Sequence, residues 1–140
     1  MCAMTFLDSN VFLYALDSTA SSKQASARRI VSQSMTPNAP FAISSQVMAE
    51  FSSVAIRKMK LSTPIVLSLI AEMGKLRHTV IDNPLVMRAV EIQNLYGIQF
   101  YDAQIVAAAE RLQCREIWSE DLNNGQTYCG MTAVNPFVGN

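Results

Sequence analysis

Residues 5–16 read TFLDSNVFLYAL. Apolar residues run to Leu7, an acid stands at Asp8, and apolar residues resume at Val11. An ionised carboxylate without a partner is costly to bury, so a hydrophobic strand that ends in one raises the question of its purpose. Two answers stay open on this stretch alone. Asp8 caps the helix that begins near Val11, or it holds a cation with acids from elsewhere in the chain.

Outward from this stretch, strand patterns alternate with helical ones. MTFLD, residues 4–8, FAIS, residues 41–44, HTVI, residues 78–81, and REIWS, residues 115–119, read as short strands. TAVNPF, residues 132–137, reads as a short last strand. VFLYAL, KQASARRIVSQS and SQVMAEFSSVAIRKM read as helices, the last with Val47, Phe51, Val54 and Ala55 on one face. Thr63-Pro64 and Asn83-Pro84 read as helix starts, with Thr63 as an N-cap, and Gly74 and Gly97 as helix ends. YDAQIVAAAERL is an Ala-rich helix suited to close packing. This alternation predicts parallel β-α units covered on both faces, and functional groups then gather beyond the carboxyl ends of the strands.

The chain has 140 residues, half of them hydrophobic, which fits one domain with a packed core. No apolar run has the length of a membrane span, and the N-terminus lacks the basic region of a signal peptide. Cys2, Cys114 and Cys129 form no CxxC pair, which suits free thiols in a reducing cytosol. Net charge is zero, so no global basic signature of nucleic-acid binding exists. The distribution is uneven: residues 1–80 hold eight Lys/Arg and four Asp/Glu, and residues 81–140 hold three and seven. On charge alone an ordinary mixed surface is the preferred reading.

Four acids stand where such a sheet brings groups together. Asp8 closes the first strand, Glu50 lies early in the helix after the second, Asp102 opens the Ala-rich helix, and Asp121 follows a late strand. Each has a bland alternative: a cap, a solvated helix residue, a dipole-favoured first-turn acid, and turn chemistry with Asn123, Asn124 and Gly125. Crowded carboxylates repel and raise each other's pKa. A hard divalent cation relieves this, and an all-oxygen set suits Mg²⁺ or Mn²⁺ better than zinc.

The same stretches resemble the motifs of PIN-domain ribonucleases. TFLDSNVFLYA resembles the opening D-x-N motif, SSQVMAEF the second motif with Glu50 at its end, IQFYDAQIVAAAE the third, and IWSEDLNNGQ with VNPF the closing one. The match runs from about Met4 to Val138 in the family's order, and the subgroup it looks most like is the VapC-type toxins. The resemblance implies a single PIN domain over 1–140, a three-layer α/β/α sandwich with a central parallel sheet of four or five strands. It implies a Mg²⁺- or Mn²⁺-dependent endoribonuclease whose catalytic and metal-binding acids are Asp8, Glu50, Asp102 and Asp121. Asn10 and Ser119 fall where polar residues support those acids through hydrogen bonds. Glu120 competes with Asp121 for the last place, and the Ser119-x-Asp121 pattern favours Asp121. Also implied are an RNA substrate, a small protein antitoxin, a homodimer and a cytoplasmic location without a membrane.

Other residues read more plainly. His78 is an edge-strand histidine with no acid to orient it. Trp118 and Phe100 read as core in preference to base-stacking. Arg57, Lys58 and Lys60 form a basic cluster, either a helix C-terminus with cations suited to the dipole or an RNA rim. The apolar faces of the 63–73 and 84–96 helices exceed what one core needs, which leaves surface for a partner or a dimer. An Asp-nucleophile phosphatase also starts with a strand ending in Asp, but it wants a second Asp where this chain has Asn10. A PIN-like interaction module without catalysis and a nuclease acting on DNA are the remaining alternatives.

Overall fold

In the computed structural model, which describes residues 3–138 and so leaves Cys2 outside, the middle strand is β1 (Met4–Leu7). It lies between β2 (Phe41–Ser44) and β4 (Cys114–Trp118) and runs parallel to both. Phe6 stands opposite Ala42 on one side and Ile117 on the other. Phe6 and Leu7 are successive residues, so their side chains leave opposite faces of the sheet. Both are fully buried. The sheet is therefore covered on both faces, as its unbroken apolar strands require.

The sheet continues outward through β3 (Arg77–Thr79) beside β2 and β6 (Met131–Val134) beside β4. These five strands are parallel, at the upper bound of the expected four or five. A sixth, β5 (Thr127–Tyr128), pairs antiparallel with β6 and makes the order β3-β2-β1-β4-β6-β5. The sequence pattern misses β5 because two residues carry no periodicity. Its turn holds Cys129 at φ 50° and Gly130 at φ 81°, both left-handed, the backbone of a tight hairpin. The last parallel strand ends at Val134, earlier than the apolar pattern through Phe137 implies.

Six helices match the six helical patterns: α1 (Ser9–Leu16), α2 (Ser21–Ser34), α3 (Ser45–Arg57), α4 (Thr63–Met73), α5 (Asn83–Tyr96) and α6 (Phe100–Arg111). Helix α5 starts at Asn83 as expected, and the cap of α4 lies one residue earlier than expected. Thr63 is the first helical residue of α4, with Ser62 in the cap position. Asp82 caps α5 by accepting from Leu85 N at 3.1 Å. The helix C-terminus at Gly97 is left-handed, φ 66°, where a Cβ is disfavoured. Gly74 ends α4 in the ordinary right-handed region.

Helix α6 buries Ala103 and the Ala107–Ala109 run, and these small side chains let α5 lie close against it. Arg88 of α5 grips Glu110 of α6 through two bonds, 2.8 and 2.9 Å. Arg111 of α6 reaches back to Asp82 at 2.7 and 3.1 Å. Such forked pairs fix geometry more than they add stability. His78 sits on the edge strand β3, its Nδ1 2.8 Å from the Leu76 carbonyl. Phe100 packs partly buried against the core. Trp118 also packs there, edge-on to Phe41, and its indole donates to Glu116.

Apolar surplus on α4 and α5 is real. Ile65 and Leu67 on α4, and Met87, Val90 and Leu95 on α5, are all at least half exposed. Among the described residues no helix is long and apolar enough to cross a membrane.

The centre of this core is β1. Leu7→Ala removes a fully buried side chain from the middle strand and is expected to destabilise the protein by about 2–5 kcal/mol. Urea unfolding followed by circular dichroism checks this, whereas Val138→Ala, at an exposed site, is expected to change stability by less than about 0.5 kcal/mol.

Candidate active site

β1, β2 and β4 are parallel, so their carboxyl ends share one edge of the sheet. Asp8 follows β1, α3 with Glu50 follows β2, and Ser119–Asp121 follow β4. Helix α6 leads back into β4, so its N-terminus, with Asp102 in the first turn, starts at that same edge. The fold thus delivers the four acids to one end of the sheet, as the topology of parallel sheets dictates.

Asp8 bears out the cap reading of the opening stretch. It caps α1: its Oδ1 accepts from Ser9 N at 2.7 Å. Its Oδ2 accepts from Ser119 Oγ at 2.7 Å. The same Ser119 oxygen accepts from the Asp121 backbone N–H at 3.1 Å. One serine therefore joins the end of β1 to the loop after β4. Ser119 is 1% exposed and Asp8 4%.

Asp102 is set by a different device. Gln99 caps α6, its side-chain oxygen accepting from Tyr101 N and Asp102 N at 3.1 and 3.3 Å. Glu50 is approached by the Ser9 hydroxyl at 3.4 Å, and the Gln46 amide also helps to hold its charge. Gln46 is buried and donates to the Tyr101 carbonyl at 3.1 Å, and it accepts from Gln104 at 2.7 Å. This amide pair locks α3 against α6 and so fixes Glu50 relative to Asp102. Ser9, Gln46, Gln99 and Gln104 were not singled out from the sequence. The signal for two of them was available: Gln46 and Gln104 interrupt otherwise buried helical faces, and a polar residue there needs a partner.

All four acids are pushed up from the ordinary carboxylate range. For Asp8 burial is the main cause, opposed by the bonds from Ser119 and Ser9, and the Asp121 charge adds to it. For Glu50 burial leads and the Asp8 charge follows. Asp102 rises to about 6, through burial and then the charges of Asp121 and Asp8. Asp121 rises through burial and then the adjacent Glu120. The acids thus feel one another's charge. Among the described residues, no three Asp, Glu, His or Cys side chains form a group able to hold a metal ion as they stand.

The other site residues divide. Ser119 supports the acids directly. Asn10 makes no such bond: its Oδ1 is buried without a hydrogen-bond partner. Glu120 is held by Tyr14 Oη at 2.6 Å and Lys23 Nζ at 3.2 Å. Arg57, Lys58 and Lys60 are exposed at the end of α3. Lys58 lines a cleft of about 470 Å³ together with Asn10, Tyr14 and Glu120.

Residues 5–125 match the model of the PIN domain family, a span that includes all four acids. A comparison with curated protein sequences gives no match. Among solved structures, the chain is similar to VapC20 of Mycobacterium tuberculosis, described as a sarcin–ricin loop cleaving toxin. The two share 16% identity with a TM-score of 0.67, over 84% of this chain and 89% of that one. It is similar to a toxin–antitoxin complex from Klebsiella pneumoniae at 17% identity and a TM-score of 0.67, over 94% and 97% of the two chains. It is also similar to DNA-bound VapBC from Salmonella typhimurium at 15% identity and a TM-score of 0.63, over 94% and 97%. At these identities the likeness bears on the fold.

A carboxyl whose pKa folding raises binds protons more readily in the native state, so stability falls as pH rises between its unfolded and folded values. For Asp102 that window runs from the ordinary 3.8 to about 6. Without divalent cations, thermal stability is expected to fall as pH rises through this window. At pH 7, Asp102→Asn is expected to be more stable than wild type by about 1 kcal/mol, after discounting for partial exposure. Melting curves of both proteins in EDTA from pH 4 to pH 7 check this.

Proposed function

Since the chain belongs to the PIN domain family, we propose that it is a divalent-cation-dependent endoribonuclease, the toxin of a toxin–antitoxin pair. The observation that supports this reading is the placement of four carboxylates from separate segments at one sheet edge, near enough to feel one another's charge. Each is driven above its ordinary range by burial and neighbouring charge. Perturbed acids gathered at a strand end are a mark of a functional site.

The residues fit a hard cation in kind. The set is all oxygen and anionic. The buried Asn10 Oδ1, two residues beyond Asp8, has no hydrogen-bond partner among the described residues. Asp8, Glu50, Asp102 and Asp121 would hold Mg²⁺ or Mn²⁺. Such an ion, when bound, supplies water activated for attack and offsets charge on the phosphodiester. The chain's own part is positional. Ser119 and Ser9 orient Asp8, and the Gln46–Gln104 pair keeps the spacing of α3 and α6.

Among the described residues, neither the cysteines nor His78 is set up as a protein nucleophile. The Cys114 thiol is pushed up to about 11, mainly by burial, and the Cys129 thiol is also raised, which disfavours thiolates. His78 lies on the outer strand. Arg57, Lys58 and Lys60 suit an RNA backbone at the rim. The similar fold of a toxin that cleaves the sarcin–ricin loop favours RNA over DNA, and that of a toxin–antitoxin complex favours a small protein antitoxin. The exposed apolar residues of α4 and α5 supply surface for a second chain, here taken as a homodimer. A toxin acting on cellular RNA belongs in the cytoplasm, where free thiols persist.

The test is cleavage of total RNA by purified, antitoxin-free protein in Mg²⁺ or Mn²⁺, beside EDTA and Asp8→Asn arms. Discrete fragments are expected with either ion and none in EDTA. Asp8→Asn is expected to cut at least about 100-fold more slowly. Cleavage that survives both EDTA and Asp8→Asn, or no RNA cleavage at all from folded protein, sinks the proposal.

A further inference from the structure

A fifth carboxylate, Glu120, is adjacent in sequence to Asp121 and bonded to α1 and α2. Glu120 lies between Ser119, which bonds Asp8, and Asp121 itself. Both of its oxygens are engaged by other partners. Oε1 accepts from Tyr14 Oη at 2.6 Å, and Oε2 accepts from Lys23 Nζ at 3.2 Å. The ammonium of Lys23 also donates to Tyr14 Oη at 3.2 Å and sits 4.7 Å from the centre of the Tyr14 ring. That ring packs edge-on against Phe137 with centres 5.0 Å apart. Glu120 is thus held from α1 and from α2 by two groups that hold each other.

We propose that Tyr14 and Lys23 are positioning residues for the acid site, holding the Glu120 carboxylate out of the group formed by Asp8, Glu50, Asp102 and Asp121. This rests on the reading of those acids as a cation site. The physical reason lies in the number of charges. Four carboxylates already repel one another, and a fifth on a mobile side chain next to Asp121 would add to that repulsion without a cation and compete for the cation when it is present. A short bond from a neutral phenol and an ion pair with Lys23 remove it from that competition. The hydroxyl of Tyr14 stays protonated, its pKa raised chiefly by the bond to Glu120, so it remains a donor. The network also makes part of the wall of the 470 Å³ cleft, where Tyr14 and Glu120 stand with Lys58.

The test reads cation binding directly, by Mn²⁺ titration with electron paramagnetic resonance detection, and needs no cleavage. Five proteins enter: wild type, Tyr14→Phe, Tyr14→Phe/Lys23→Met, the same double variant with Glu120→Gln, and Asp8→Asn. Circular dichroism confirms that each is folded. Wild type is expected to bind Mn²⁺ and Asp8→Asn to bind it much more weakly. The double variant frees Glu120 and is expected to bind Mn²⁺ about threefold or more tighter, the scale of one solvent-screened charge. Adding Glu120→Gln is expected to return the affinity to the wild-type value. Tyr14→Phe alone changes no charge and is also expected to tighten Mn²⁺ binding, an effect that loss of the Lys23 charge by itself does not produce, so unchanged binding in Tyr14→Phe overturns the proposal. An unchanged affinity in the double variant, or a change that Glu120→Gln does not reverse, overturns the proposal. Mn²⁺ binding that is absent from wild type, or that ignores Asp8→Asn, overturns the cation reading first and this inference with it.

Discussion

A carboxylate buried at the end of the central strand is the constraint on which the rest of the site depends. Asp8 is nearly inaccessible, and burial outweighs its hydrogen bonds in setting its proton affinity. Two donors make the position tolerable: the first N–H of α1 and the hydroxyl of Ser119. The second depends on sheet register. Leu7 stands opposite Trp118, and Asp8 N donates to the Trp118 carbonyl at 3.1 Å. Ser119 N in turn donates to Val134 O on β6 at 3.0 Å. A slip of one residue between β1 and β4 would point Ser119 to the other face and leave Asp8 Oδ2 buried without a donor. Register, cap and site are therefore one arrangement.

The acids weaken the fold that gathers them, and the core offsets them. Val106, Ala108 and Ala109 of α6, the helix that carries Asp102, have no exposed surface, and β2, which leads into the Glu50 helix, is buried along its whole length. The Gln46–Gln104 amide pair is a polar contact in that apolar layer, satisfied on both sides. Buried amides that find all their partners fix one packing among several alternatives. Here the packing so fixed is the spacing of the Glu50 helix from the Asp102 helix.

Much of this was legible in the sequence because it rests on local patterns. Alternating apolar strands and helical stripes gave the parallel sheet, and the placement of acids after strands pointed to its carboxyl edge. The cap reading of Asp8 holds, and an acid that begins a helix at a strand end keeps its second oxygen for another partner, here Ser119. The start at Asn83 is read correctly, whereas the cap of α4 falls on Ser62 and not Thr63, because the chain alone does not say which of two adjacent polar residues turns in. Two-residue β5 was below the reach of periodicity. What could not be read were contacts between distant segments. Tyr14 and Glu120 are 106 residues apart and Lys23 and Glu120 are 97, so nothing local links them. Asn10 shows the converse: its position beside Asp8 suggested a bond to an acid, but adjacency in sequence does not aim a side chain.

The four acids differ in how firmly they are held, and that difference follows from the elements that carry them. Asp8 has a donor on each oxygen and sits on the central strand. Glu50 has the long contact from Ser9 and the help of Gln46. The carboxylates of Asp102 and Asp121 accept no hydrogen bond among the described residues; their backbone N–H groups are fixed by Gln99 and Ser119 instead. Each backbone is thus anchored while the side chain keeps its rotamers. A small hard cation demands regular geometry and gives up its water reluctantly. For the proposed cation, one carboxylate held on both oxygens with others lacking such bonds would meet that demand better than four rigid acids, whose mutual repulsion would have to be built in permanently. The burial gradient from Asp8 outward has the same origin: the acid nearest the middle of the sheet is the most buried and most constrained, and the helix and loop acids around it keep the freedom to adjust.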